Sequence, residues 1–353
     1  MKRYTAVYLC VLVVAWGRTV SALTTTAFLT NPNKMSAATN NGDLLLRPNI
    51  NTPLEMASEN TEFQPYSSAA VVGTADWELD CYSRPVVVEG KKLWEVLITD
   101  SEGKMRICEP LPSNRVNSRE LRAVIEKAIE EADVKPGTIR FFRGAMFNMI
   151  NIALSEIEVT ARPSRATYAL AQWLEERNRE VYPKMEGYRA NMAGGGVASF
   201  LDIRTPVKLP DALRGEKYAF VSLPLAEFRE GGGVDASTIG VGRLCPIDPK
   251  FPSDAFVPGV VILTARADAL ASWLAGTEIC GFKCDLRKRI MVMESDISTQ
   301  FLVAKLDETQ RAEGIVYEEG KDALDGLHFV SVQKDENDDP KGFWLLREIP
   351  ENL

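Results

Sequence analysis

Hydrophobic patterning in this chain starts abruptly at Trp77, and that boundary decides how much of it can fold. Residues 23–75 are rich in Thr, Ser, Asn and Ala and show little apolar periodicity. Such a segment buries too little apolar surface to offset the entropy of ordering, so it is expected to be disordered. The whole chain has 353 residues, 45% hydrophobic and 25% charged, proportions ordinary for a globular protein. At roughly 100–200 residues per domain, two domains are expected. Each is large enough to bury a core without disulfides or metals.

Ahead of Trp77 the chain reads as an address. Lys2 and Arg3 precede an apolar run over 6–16, and small residues offer cleavage after Ala22 or Ala27. That is a signal-peptide layout, and the run is too short to span a bilayer. Residues 1–27 are therefore read as a signal peptide and 28–75 as a transit-peptide-like segment. Together they resemble the bipartite presequence of algae with secondary plastids, with Phe28 first after cleavage at Ala27. The competing reading is a secreted protein with a disordered leader. No later stretch is apolar enough for stable membrane insertion.

Folding signals then follow in order. Residues 77–88, 93–99 and 104–108 read as strands, with Glu89-Gly90-Lys91 a turn between the first two. Asn117 or Ser118 caps a helix in which Leu121, Val124, Ile125, Ala128 and Ile129 share one face. A strand over 138–142, a helix over 148–154, an extended stretch over 157–161 and a helix over 164–178 complete this half. Three strands, a helix, a strand, a helix, a strand and a helix is the order found in ribonuclease H-like folds.

Tyr182-Pro183 and Gly194-Gly195-Gly196 mark a linker, placed at 184–199, between domains at 76–183 and 200–353. The second half shows strands over 218–225, 260–264, 289–293, 301–306, 327–332 and 342–349, with helices over 267–274 and 308–324. The expected architecture is α/β, two mixed α/β domains, the first ribonuclease H-like in element order. Thr160-Ala161-Arg162 before Ala169-Leu170-Ala171-Gln172-Trp173-Leu174 echoes Thr264-Ala265-Arg266 before Ala269-Leu270-Ala271-Ser272-Trp273-Leu274. Both read as strand-to-helix passages, by duplication or by convergence of alanine-rich helices.

Charge and cysteines exclude more than they assert. The net charge of −8 leaves no overall basic footprint for polyphosphate, so any nucleic-acid surface must be a local patch. Cys10 lies in the leader; Cys81, Cys108, Cys245, Cys280 and Cys284 are scattered and form no disulfide framework. Cys280 and Cys284 have metal-like spacing without a second pair, and His328 is read as a packed strand residue. No cofactor and no metal site are expected.

A specific resemblance begins at Trp77-Glu78-Leu79-Asp80-Cys81-Tyr82-Ser83-Arg84-Pro85. It continues through Lys92-Leu93-Trp94-Glu95, Asn117-Ser118-Arg119-Glu120-Leu121, Ile139-Arg140-Phe141-Phe142-Arg143 and Asn148-Met149-Ile150. Pro163-Ser164-Arg165, Trp173-Leu174-Glu175-Glu176-Arg177, Val181-Tyr182-Pro183 and finally Phe343-Trp344-Leu345-Leu346 follow in order. Over 77–349 the chain resembles the Tab/Atab family of chloroplast RNA-binding translation activators, with Trp77, Asp80, Tyr82, Arg84, Pro85, Trp344, Leu345 and Leu346 as its signature. It departs at Cys81, where an aromatic would be expected, and in its glycine-lengthened linker. The resemblance implies a stromal protein that binds the 5′ untranslated region of a photosystem reaction-centre messenger, photosystem I foremost. It also implies promotion of that messenger's translation, alongside other translation or RNA-binding factors.

Single-stranded RNA needs cations for its phosphates and flat side chains for its bases. The candidates are Arg140 and Arg143 around Phe141-Phe142, Arg162, Ser164 and Arg165 at a helix start, and the run Arg287-Lys288-Arg289. The helix N-terminus near Ser164 could receive a phosphate on free N–H groups. Each cation could equally be a solvated charge paired with a carboxylate, and Trp344 reads as a core residue sooner than a stacking one. Two other function classes compete. A metal-dependent ribonuclease H-like nuclease would gather Asp80 with Glu120 or Glu126, and Glu158, Glu175 or Glu176 as substitutes. Arg143 and Gly144 stand where a further acid would be required. A protein-interaction scaffold for translation or photosystem assembly would suit the acidic surface, and would bind with little salt dependence.

Overall fold

The computed structural model describes residues 74–192 and 205–349. The expected presequence up to residue 73 and Gly194-Gly195-Gly196 lie outside the described residues. Two mixed α/β domains are present.

The first half contains β1 (Asp76–Val88), β2 (Lys91–Asp100), β3 (Arg106–Leu111), α1 (Ser118–Glu131), β4 (Thr138–Phe141), α2 (Phe147–Ser155), β5 (Thr160–Pro163) and α3 (Tyr168–Glu176). Glu89 and Gly90 both take positive φ in the two-residue turn joining β1 to β2, the geometry that matches strand twist in a hairpin. The sheet order is β3-β2-β1-β4-β5. The first three strands are antiparallel, while β4 lies parallel to β1 and to β5. A parallel neighbour needs a crossover, and α1, capped by the Asn117 side chain on the Glu120 N–H, supplies it.

Alternation along β1 sets what each face does. Trp77, Leu79 and Cys81 pack with Leu121, Ile125 and Ala128 of α1 and Ile150, Ala153 and Leu154 of α2. Glu78 and Asp80 point to the opposite face, where α3 lies with Leu97, Leu170, Trp173 and Tyr182 in a second apolar cluster. Because both faces are covered, both carboxylates are fully buried.

The second half contains β6 (Val207–Lys208), β7 (Lys217–Pro224), β8 (Val241–Leu244), β9 (Phe256–Leu263), α4 (Ala267–Gly276), β10 (Ile279–Asp285), β11 (Ile290–Ser295), β12 (Thr299–Lys305), α5 (Glu308–Ala323), β13 (Leu327–Gln333) and β14 (Gly342–Arg347). They form a five-stranded sheet β7-β9-β13-β14-β8 and a four-stranded sheet β10-β11-β12-β6. Asp307 and Gln310 close a reciprocal capping box at α5. Among the described residues no helix is long and apolar enough to cross a membrane.

Three strands escape sequence pattern. β8 carries Gly242, where an added Cβ would strike the Phe343 carbonyl; the glycine permits close backbone approach and hides the strand. β10 interrupts its apolar run with Gly281 and Lys283, and β6 is two residues long. The helix expected from 164 begins only at Tyr168, because β5 runs on through Pro163. The two Thr-Ala-Arg echoes do fall at strand-to-helix passages, β5 to α3 and β9 to α4.

Candidate nucleic-acid interface

The candidate cations fall into two groups with opposite environments. Arg140, on β4 beside Glu78 of β1, is 1% exposed. Its Nε and Nη2 donate to the Glu278 carboxylate at 2.9 and 3.0 Å, and its Nη1 lies 3.1 Å from Asp76. Arg162 is partly exposed and reaches the same Glu278 at 3.4 Å. Arg165 is buried and donates to Glu294 at 2.7 Å, while its backbone N–H donates to the Asp296 carbonyl. From the other side, Arg243 donates to Glu78 at 2.8 Å and to the Ala166 carbonyl at 2.6 Å. Arg347 completes the seam on Glu175 at 2.8 Å. Arginines of each half thus clasp carboxylates of the other.

The phosphate site expected at the helix beginning near Ser164 is corrected by the structure. Ser164 is buried and its Oγ accepts the Ala166 N–H at 3.0 Å. At the true start of α3, the Leu170 N–H already donates to the Glu78 carboxylate at 2.8 Å. A protein anion occupies the place a phosphate would take. Burial raises the Glu78 carboxyl to about 7, against the opposing pull of Arg243, the Leu170 N–H and Arg140.

Arg143 and Asp80 form the centre of the first half. Arg143 donates through Nε and Nη2 to the two Asp80 oxygens at 2.9 and 3.2 Å, and Arg84 donates to Asp80 at 2.9 Å. The Arg143 guanidinium lies over the Tyr82 and Phe142 rings, 4.3 and 4.7 Å from their centroids. Burial alone would raise the Asp80 carboxyl, but Arg143 and Arg84 hold it below its usual range. Beyond them Glu95 accepts from Arg84, Arg177 and the Tyr182 hydroxyl.

This arrangement removes the acids a nuclease would need. Asp80 faces α3, whereas α1, with Glu120 and Glu126, packs on the opposite face of β1. Glu120 pairs with Arg115, Glu176 with Arg106 and Glu175 with Arg347, and Glu158 is exposed. Two guanidiniums fill the space where a divalent ion would sit beside Asp80. Among the described residues no group of three or more His, Cys, Asp or Glu side chains could hold a metal ion.

The remaining candidates are ordinary or open. His328 is fully buried: its Nε2 accepts the Phe282 N–H at 3.0 Å, so Nδ1 carries the proton and donates to the Gly326 carbonyl at 2.7 Å. Burial, with the Lys321 ammonium nearby, holds it down to about 3. Cys280 and Cys284 are buried on β10, and burial pushes the Cys284 thiol up to about 12. Trp344 is a core residue, with Leu345 and Leu346, and the signature residues Trp77, Asp80, Arg84 and Pro85 are buried as well. Arg287, Lys288 and Arg289 form the exposed turn between β10 and β11; Lys288 pairs with Asp285 and Arg289 with Glu308. A cleft of about 350 Å³ between the halves is flanked by Asp76, Glu102 and the already paired Arg243, a setting unfavourable to phosphate.

Sequence reasoning missed the second half's share of the seam: Arg243, Glu278, Glu294 and Arg347. One signal existed. Glu294 follows Met291, Val292 and Met293, and Arg347 follows Phe343 to Leu346. A charge ending a buried strand demands a partner.

Comparison with known proteins agrees along both halves. The model of the RNA-binding protein Tab2/Atab2 N terminal matches residues 76–177, and that of the RNA-binding protein Tab2/Atab2 C-terminal domain matches residues 198–347. The chain is 34% identical to the chloroplastic protein TAB2 homolog of Zea mays over 291 residues, covering 78% of this chain and 72% of that protein. It is 32% identical to the Arabidopsis thaliana homolog over 309 residues, covering 83% and 79%. Among solved structures, the HTLV-2 integrase catalytic core with magnesium is matched at 14% identity and a TM-score of 0.26, over 33% of this chain and 74% of that one. That likeness is too slight to define a fold. Ordered agreement through both halves does define the family: the chain belongs to the Tab2/Atab2 family of RNA-binding proteins.

Proposed function

We propose that this chain works in the plastid stroma, binds the 5′ untranslated region of a messenger for a photosystem reaction-centre subunit, and promotes its translation. The observation that carries the reading is family agreement through both halves with relatives named chloroplastic. In this reading residues 1–75 are the bipartite presequence, and domains at 76–183 and 200–353 are joined by 184–199. The first domain is ribonuclease H-like in topology; three antiparallel strands followed by two parallel ones in the order β3-β2-β1-β4-β5 support this.

RNA contact in this reading uses the cations that reach solvent: Arg162, Arg287, Lys288 and Arg289. Arg140 and Arg165 serve it indirectly, by fixing the two halves as one body, and Arg143 and Ser164 by holding the first half together. The direct test is a filter-binding titration of the purified chain against plastid 5′ leaders and a scrambled control, with salt stepped from about 50 to 200 mM. Tight binding that favours one leader and weakens steeply with salt is the expected outcome. Absence of binding at the lowest salt would overturn direct RNA recognition and leave a scaffold acting through other factors.

A further inference from the structure

We infer that the cationic rim of the four-stranded sheet β10-β11-β12-β6, on the face turned from the core, holds the sugar–phosphate backbone of single-stranded RNA, without selecting its sequence. The inference rests on the RNA-binding reading above and names the surface for it.

Strand register decides which side chains share that face. Phe282, Met293 and Phe301 stand opposite one another, as do Cys284, Met291 and Ala304, and all six join the hydrophobic core of the second half. The alternate residues therefore point away from that core. One row across the four strands reads Lys283, Val292, Leu302, Lys208. The next reads Asp285, Ile290, Lys305, and beyond it the chain turns through Arg287, Lys288 and Arg289. Six cations thus lie on or beside one face.

Three carboxylates offset them: Glu348 pairs with Lys283, Asp285 with Lys288 and Glu308 with Arg289. Among the described residues no carboxylate pairs with Lys208, Arg287 or Lys305, and all three side chains are exposed. A net positive surface on a chain of charge −8 is complementary to a polyanion and to little else. At the other end of the face, Glu294 is paired with Arg165 and accepts a hydrogen bond from Gln300. Arg162, partly exposed, lies at that end through Glu278.

Between the lysines lie Ile290 and Leu302, half-buried, and Val292, which is buried; among the described residues these rows carry no aromatic ring. Bases stack on rings and are read by hydrogen bonds at their edges; phosphates need only cations and donors. This face therefore suits the backbone, and leader preference must arise elsewhere on the molecule.

The test compares two triple variants of the full chain that lose the same charge. One carries Lys208→Gln, Lys283→Gln and Lys305→Gln; the other carries Lys91→Gln, Lys92→Gln and Lys127→Gln, on exposed positions of the first half. The probe is a labelled oligouridine of about 20 nucleotides, longer than a single-domain site size. The sheet variant should bind at least about tenfold more weakly and lower the salt slope by about 2, as three lost single-strand phosphate contacts require. The first-half variant should stay within about twofold, and both should keep the wild-type melting temperature. An unchanged sheet variant, or equal loss in both variants, would overturn the surface while leaving RNA binding intact. Failure of the wild-type chain to bind would instead overturn the RNA reading and this surface with it.

Discussion

The sheet of the first half and the four-stranded sheet of the second both carry charge on the face turned from their largest apolar cluster, but to opposite ends. In the first, Glu78 and Asp80 are buried under α3 and the second half, and every charge is matched by arginine. In the second, Lys208 and Lys305 stand in solvent without a carboxylate partner among the described residues. Burial explains the difference. A buried charge must be paired or the fold loses several kcal/mol, so a covered face becomes a structural lock. An uncovered face can keep cations unmatched, because water solvates them until a polyanion displaces it. Arginines that look alike in sequence therefore serve stability in one region and are free for recognition in the other.

The harshest way to break this comparison is to unpair the lock. Asp80→Ala removes the buried carboxylate that Arg143 and Arg84 share, leaving Arg84 with Glu95 alone, and should cost about 3–5 kcal/mol of unfolding free energy. Urea unfolding measures it. A loss below about 1 kcal/mol would mean that the site is wetter or looser than its geometry requires.

Next in size come two opposed pH effects. Glu78 has its folded value raised to about 7 from 4.5, so the folded state holds the proton more tightly. Its contribution is fullest below the unfolded value and fades as pH rises through 7, by about 3 kcal/mol in all. His328 is lowered to about 3 from 6.5; its contribution is present above the unfolded value and falls as pH drops. Between pH 6.5 and pH 5 the two slopes oppose each other at about 2 kcal/mol each. Relative to wild type, Glu78→Gln should therefore lose about 2 kcal/mol on acidification over that interval, and His328→Gln should gain as much. Parallel unfolding curves at the two pH values for wild type and both variants would refute this pairing.

How much of this was legible beforehand follows the same division. The first half could be read because its periods are clean: alternation in β1, a capped helical stripe in α1, a glycine turn between β1 and β2. The seam could not, since an ion pair between residues 138 apart in sequence, such as Arg140 with Glu278, leaves no local trace. Arg140 and Arg287 carry the same side chain and differ only in what covers them. β10 is hidden because Gly281 and Lys283 interrupt its apolar run: Gly281 gives room to Glu294 and the His328 ring, and Lys283 lies on the face turned from the core. The helix expected from 164 starts four residues later, because β5 stays paired with β4 through Pro163.

The smallest expected effect on stability is the sharpest test of the contrast. Arg289→Ala removes an exposed pair with Glu308, both side chains being more than half in solvent. Exposed pairs contribute roughly 0–1 kcal/mol, so unfolding free energy should change by less than about 1 kcal/mol. Arg165→Ala removes a buried partner of Glu294 across the seam, and should cost more than Arg289→Ala in the same assay. In oligouridine binding the ranking should invert when compared per unit of stability lost, because Arg289 lies on the cationic rim and Arg165 is spent on Glu294. If Arg289→Ala destabilised the fold as much as Arg165→Ala, exposure would not separate lock from surface. The reading of the second sheet as a free cationic face would then fall.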